Sequence, residues 1–248
     1  MSEQSIVEAI TERIALQIAS GAYRAGERLP SVRQLAADHS INASTVQVVL
    51  GRLHAAGFVE SHRGVGFLVR DVRWEGGIET LRYLFRFSAE LPELAQTILA
   101  DMLTTRWTLL SEAATVLADN PGKYDPSTVR RAVRQLEQHA ARQQVAPPAL
   151  ASAELGVYRA VMATLDRPVA LAVINSIEAI LLGVPQVLDA LYVHPTVHVE
   201  FWKHVLSLWE NGEFTREVIA GLAAAVRLYD DDATRRLRET LTARETGD

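Results

Sequence analysis

The stretch LPSVRQLAADHSINASTVQVVLGRLHAAGFVE, Leu29 to Glu60, holds two short helical patterns on either side of a polar break. Ser31 can cap a helix carrying Val32, Leu35 and Ala36. Asp38 to Ile41 interrupts it, and Asn42 can cap the next, because a short side-chain oxygen satisfies backbone N–H groups that no helical carbonyl reaches. That second helix puts Val46, Val49, Leu50 and Leu53 on one face and stops at Gly57. Upstream, Ile6, Ile10, Ile14 and Ile18 recur at i, i+4 and predict an amphipathic helix closed by Gly21, followed by a turn in GAYRAGERLP. Downstream, FVES and FLVR read as two short strands across HRGVG, a hairpin with a glycine-rich, basic tip. Three helices followed by a hairpin is the winged helix-turn-helix arrangement.

Such a pair of helices fixes the second by packing it on the first, so that it can enter a DNA major groove as a rigid rod. The inner face must be apolar and the N-terminal outer face short and polar. Asn42, Ser44, Thr45 and Gln47 fill those outer positions. Ser, Thr and Asn suit phosphates, and Gln can pair bidentately with adenine. Arg33, in the first turn of the preceding helix, and Arg63, at the hairpin tip, suit phosphate or groove contacts. Each alone reads equally well as an ordinary cap or a solvated arginine; the signal is their assembly.

The whole chain has 248 residues, 48% hydrophobic and 22% charged, which suits two modest domains or one large one. It contains no cysteine, which removes disulfides, thiolate zinc sites and cysteine nucleophiles. The net charge of −5 argues against nucleic acid, but it is uneven: residues 1–73 hold eight Arg against seven acids, leaving 17 basic against 23 acidic residues elsewhere. The acidic remainder cannot be the nucleic-acid surface. No export signal is visible in the first twenty residues. The most apolar run, Pro168 to Leu188, is interrupted by Asn175, Glu178 and Pro185 and reads as a buried helix rather than a membrane span. A cytoplasmic protein with no membrane contact is expected.

DVRWEGG (Asp71 to Gly77) reads as a linker, and no strand is evident beyond it. Helical periodicity covers about 78–87, 90–118, 127–144, 150–165, 169–182, 196–210, 215–228 and 230–243. The predicted fold is therefore mainly α: a winged helix-turn-helix over 1–73, a linker at 74–77, and an all-helical bundle over 78–248 for effector binding and dimerisation.

The segment IASGAYRAGERLPSVRQLAADHSINASTVQVVLGRLHAAGFVESHRGVGFLV resembles the N-terminal domain of GntR-type transcriptional regulators. The LPS-x-R-x-LA and TV-x-x-x-L-x-x-L-x-x-x-G patterns and the closing G-x-G-F-x-V are specific together. An all-helical remainder is similar to the FadR-like branch, and WEGGIETLRYLFRFSAELPELAQTIL and ELGVYRAV most resemble its fatty-acid-responsive FadR type, in patches across Trp74 to Glu239. The resemblance implies a homodimer on a palindromic double-stranded operator, with recognition helices in major grooves. It carries DNA-contact roles onto Arg33, Asn42, Ala43, Ser44, Thr45, Gln47, Arg63 and Gly64. That branch commonly has Arg where this chain has Ala43 and Gln47, which shifts the expected readout toward A·T contacts.

Related helical domains divide into metal-carboxylate sensors and acyl-CoA sensors. The metal type needs one Asp and three His; here the corresponding motif ends in Tyr158-Arg159 with Leu155 at the Asp position. His139, His194, His198 and His204 read as capping or surface residues, and no metal or cofactor is expected. Arg106 and Arg159 fall inside apolar stripes, where a guanidinium is costly unless paired. They read either as receptors for an anionic effector or as internal pairs, for example Arg159 with Glu154 or Arg106 with Glu178. Tyr158 and Trp202, with Trp107 and Trp209, could wall an apolar cavity or be plain core. The acids of VRLYDDDATRRLRE read as the solvated opening of a helix. The effector residues expected are Arg106, Tyr158, Arg159 and Trp202, and the effector a fatty acyl-CoA or fatty acid, or alternatively a small organic acid. No nucleophile–base order, paired-carboxylate motif, H-E-x-x-H or P-loop appears, so an enzyme is not expected.

Overall fold

The computed structural model describes the backbone of residues 3–245 and the side chains of residues 6–241; the expected domain limits at residues 1 and 248 lie outside the described residues. The fold is mainly α and divides into two compact units, Met1–Leu94 and Ala95–Asp248.

The first unit contains α1 (Glu3–Ala19), α2 (Val32–Asp38), α3 (Ala43–Ala55), β1 (Val59–His62), β2 (Gly66–Val69) and α4 (Ile78–Arg86). Its core is the apolar set the sequence spaces at helical intervals. Ile10, Ile14 and Ile18 of α1 and Val46, Val49, Leu50 and Leu53 of α3 are all buried. The start of α2 is a capping box: Ser31 Oγ accepts from Gln34 N (3.3 Å) while Gln34 Oε1 accepts from Ser31 N (2.9 Å). Asn42 caps α3 by accepting from the Thr45 backbone N–H at 2.7 Å. The strands pair antiparallel in the register Val59↔Val69 to His62↔Gly66, and an isolated Arg28↔Leu68 bridge adds a third short edge.

Gly57 ends α3 for two reasons. It sits at φ +81, which other residues rarely adopt, and an added Cβ would meet Thr80 Oγ1 at 2.8 Å. That hydroxyl donates to Ala56 O (2.7 Å), so α4 is fastened to the end of α3. Tyr83 of α4 sets its ring edge-on to Phe58 at 5.5 Å, and Arg86 pairs with Glu12 of α1. Helix α4 thus packs with the winged helix.

The second unit comprises most of α5 (Pro92–Asp119), with α6 (Ser127–Ala140), α7 (Pro147–Thr164), α8 (Pro168–Leu181), α9 (Pro185–Leu191), α10 (Pro195–Asn211) and α11 (Arg216–Glu245). Proline opens α7, α8, α9 and α10, where its missing N–H costs nothing and its fixed φ is already helical.

Two expectations are corrected here. The apolar run Pro168 to Leu188 is not one helix: it breaks at Gly183–Val184 and bends by 107° into α9. No single helix among the described residues is long and apolar enough to cross a membrane. Second, the acids Asp230 to Asp232 do not open a helix, because α11 is continuous from Arg216 and carries them mid-length.

Candidate functional site

The winged helix presents a polar face built on the two capping residues. Asn42 Oδ1 accepts from Thr45 N, from Thr45 Oγ1 (2.9 Å) and from Ser44 Oγ (2.6 Å), leaving the Asn42 amide NH2 as its unengaged end. Ala43, Ser44, Gln47 and Val48 are exposed. Thr45, expected among the outward residues, is instead only 5% exposed, its hydroxyl spent on Asn42. Arg33 is exposed at the start of α2, and Arg63 and Gly64 are exposed at the hairpin tip, Gly64 at φ +78. Neither Arg33 nor Arg63 has a carboxylate within ion-pair distance among the described residues. Two unpaired guanidinium groups thus flank a short polar helix face.

In the second unit, α5, α7, α10 and α11 enclose a cavity of about 260 Å3 lined by Arg106, Glu154, Tyr158, Val197, His198, Phe201, Ala225, Val226, Tyr229 and Asp230. Arg106 is 5% exposed. Its Nη2 donates to Asp230 Oδ1 at 3.1 Å, its Nη1 lies 3.7 Å from Glu154 Oε2, and its guanidinium carbon sits 5.4 Å from the centre of the Tyr158 ring. Its Nε–H is buried with no partner in the protein. An orphaned buried donor costs about 1–3 kcal/mol, so any rearrangement that brings an acceptor to it recovers that much.

Glu154 joins three elements. Oε1 accepts from His198 Nδ1 (3.0 Å) and Trp202 Nε1 (3.3 Å), and Oε2 accepts from the Tyr192 hydroxyl (2.7 Å). His198 Nε2 lies 2.7 Å from the Tyr229 hydroxyl, which itself donates to Leu191 O.

The electrostatics follow from this packing. Burial alone would raise the Glu154 pKa, but His198, Arg106 and Tyr192 overcome it and hold it down at about 2. Glu154 is therefore ionised, and His198 Nδ1 must carry the proton between them. Burial also works against the Arg106 charge, yet the Tyr158, Asp230 and Glu154 groups outweigh it and keep the guanidinium charged. Asp230 goes the other way: burial, aided by Glu154, raises its carboxyl despite Arg106. Tyr229 is raised to about 12, chiefly by burial.

Of the four expected effector residues, the fold brings Arg106 and Tyr158 to the cavity wall. Trp202 lies behind that wall, its ring edge-on to Tyr158 at 4.7 Å. Arg159 is not among the lining residues; it pairs with Glu178 and donates to Ser152 O at 3.3 Å. The internal partners are the reverse of those the sequence suggested, since Arg106 takes Glu154 and Arg159 takes Glu178. His198, expected as a cap or surface group, is 5% exposed at the centre of the network. Its signal was present: His198, Trp202, Val205, Leu206 and Trp209 form one buried stripe on α10. Asp230 likewise shares a stripe with Ala233, Leu237 and Leu241, visible only once α11 is one helix. No group of three or more His, Asp or Glu able to hold a metal ion occurs among the described residues.

Comparison with known proteins locates the first unit. Residues 6–69 match the family described as bacterial regulatory proteins, gntR family. The HTH-type transcriptional regulator Mce2R of Mycobacterium tuberculosis (strain CDC 1551 / Oshkosh) and an HTH-type transcriptional regulator of Mycobacterium bovis are each 39% identical over 87 residues, 35% of this chain and 36% of theirs. The chain therefore matches about a third of the length of these curated relatives. Over the full fold it is similar to the solved structure of Lar of Listeria monocytogenes, described as controlling expression of the agr system and mediating virulence. The TM-score is 0.60 over 96% of this chain and 97% of Lar. The identity is 12%, so that likeness is one of fold.

Proposed function

We propose that the chain is a gntR-family transcriptional regulator of the FadR-like type, a homodimer that binds a palindromic operator and responds to a small-molecule effector held in the second unit. It is not an enzyme in this reading. The DNA-binding half is supported by the exposed α3 face of Asn42, Ala43, Ser44 and Gln47, flanked by the unpaired Arg33 and Arg63. The effector half is carried by one observation, the buried Arg106 guanidinium at the wall of a largely apolar pocket. Arg106 and Tyr158 contact the effector; Trp202 supports Tyr158 from behind; Arg159 stands outside as a structural pair.

Binding shifts the regulator only if the effector prefers the arrangement that mismatches the half-sites. A 100-fold loss of operator affinity requires about 2.7 kcal/mol of such preference, an ordinary coupling energy. A fatty acyl chain is the second reading, favoured by a groove of about 640 Å3 between α5 and α11 that shares Val226 and Asp230 with the cavity. The test is fluorescence anisotropy of labelled operator DNA titrated with the protein at several salt concentrations, then with acyl-CoAs and fatty acids of increasing length. DNA affinity that falls steeply with salt supports the regulator through counterion release; salt-independent binding defeats it. Release that grows with chain length supports the acyl reading, and release by compact molecules alone removes it.

A further inference from the structure

The cavity already contains its own counter-charges. Two carboxylates, Glu154 and Asp230, face the same space as the single guanidinium of Arg106, one at 3.7 Å and the other at 3.1 Å from its nitrogens. The remaining titratable groups at the wall are His198, Tyr158 and Tyr229. Both tyrosine hydroxyls are held neutral by burial. With His198 neutral the enclosed charge is −1; with His198 protonated it is zero. Neither state leaves a cation over for an incoming anion. A carboxylate or phosphate would be the third anion around one guanidinium. A ligand ammonium would meet Arg106 as a like charge and leave the Nε–H unsatisfied. An uncharged acceptor adds no charge to the balance and can still take a hydrogen bond from the guanidinium.

We propose that this cavity selects an uncharged effector: a compact apolar molecule whose head is a carbonyl acceptor, as in an amide, an ester or a ketone, received by Arg106. The inference rests on the reading of this cavity as the effector site. Size supports compactness, because 260 Å3 at roughly 30 Å3 per non-hydrogen atom holds about nine atoms. The apolar body lies against Val197, Phe201, Ala225 and Val226. The raised carboxyl of Asp230 points the same way, since it reports a site that resists further negative charge.

The experiment compares three probes of one carbon skeleton, hexanamide, hexanoate and hexylamine, by isothermal titration calorimetry on the full chain at pH 7. Hexanamide is expected to bind at least about tenfold tighter than either charged probe, the scale of one unfavourable charge contact. Asp230→Asn removes one carboxylate, and the affinity of hexanoate relative to hexanamide is then expected to rise about tenfold. Ala225→Trp, which fills the cavity from an apolar wall position, should abolish hexanamide binding. Hexanoate or hexylamine binding tighter than hexanamide overturns the uncharged head while leaving the effector site standing. Binding of none of the three, or hexanamide binding unaffected by Ala225→Trp, overturns the site and the inference together.

Discussion

Asp230 and Arg106, 124 positions apart in sequence, meet at 3.1 Å inside the second unit and tie α11 to α5. Removing one partner of such a pair leaves the other charge buried without compensation. Arg106→Ala strands Asp230 and removes one of the charge partners of Glu154, and is expected to cost about 3–5 kcal/mol of stability in urea unfolding. Asp230→Asn keeps the shape and leaves Arg106 with Glu154, so its cost should be smaller. Equal losses from the two substitutions would show that Arg106 acts through Asp230 alone and that Glu154 gains nothing from it.

Arg159 makes the contrasting case. It is about a third exposed and paired with Glu178. Arg159→Ala should cost less than about 1 kcal/mol, as solvent-screened ion pairs do, and leave effector affinity unchanged. A loss of effector binding in this variant, with stability intact, would place Arg159 at the ligand after all.

The pH dependence of the second unit should carry the mark of Glu154. Its folded pKa of about 2 lies below its ordinary value of 4.5, so its ionisation stabilises the fold. That contribution is complete above about pH 4.5 and drains away as the pH falls toward 2. Stability measured against pH should fall through this window, and more shallowly in Glu154→Gln. Parallel curves for the two proteins would mean that Glu154 is not held down in the folded state.

For the first unit, Arg33→Ala or Arg63→Ala should weaken operator binding almost uniformly across sequences and lower the salt slope by about one, if each contacts a phosphate. Gln47→Ala should instead relax specificity at one base pair, by about 1–3 kcal/mol. These outcomes are read from binding to an operator and its single-base variants. Salt slopes unchanged in both arginine variants would move the nucleic-acid face elsewhere.

Gly57→Ala should destabilise the winged helix by about 1–3 kcal/mol, since both its positive φ and the Thr80 hydroxyl at 2.8 Å oppose a Cβ. Thr80→Ala should recover part of that loss when combined with it, by removing the clash. The check is thermal unfolding of the two single variants and the double. Strict additivity would mean that φ alone sets the cost.

The winged helix was legible from sequence because its instructions are local. Ser31 and Asn42 cap their own helices, Gly57 stops its own, and the hairpin register follows from two adjacent short runs. The attachment of α4 was not, because it depends on a hydrogen bond from Thr80 to a carbonyl 24 residues earlier. The cavity was legible in part. Arg106 stood out as a charge in an apolar stripe, whereas Glu154, His198, Tyr192 and Asp230 become one network only through contacts spanning 38 to 124 residues. No spacing rule within one helix links such positions. The predicted helix over 169–182 matches α8, but α9 beyond it was missed, because seven residues are too short a run for periodicity to declare.

The convergence of His198, Tyr192 and Trp202 on the two oxygens of Glu154 has a consequence for how this domain can diverge. Loss of Glu154 would strand three donors at once, whereas loss of Trp202 still leaves Oε1 with His198, so Glu154 is the member on which the others depend. Val197, Phe201, Ala225 and Val226 carry no such obligation, since their side chains hold no hydrogen bonds and only shape the wall. Descendants of this protein can therefore retune what they recognise by exchanging apolar bulk at those four positions, one step at a time, while the polar centre stays frozen.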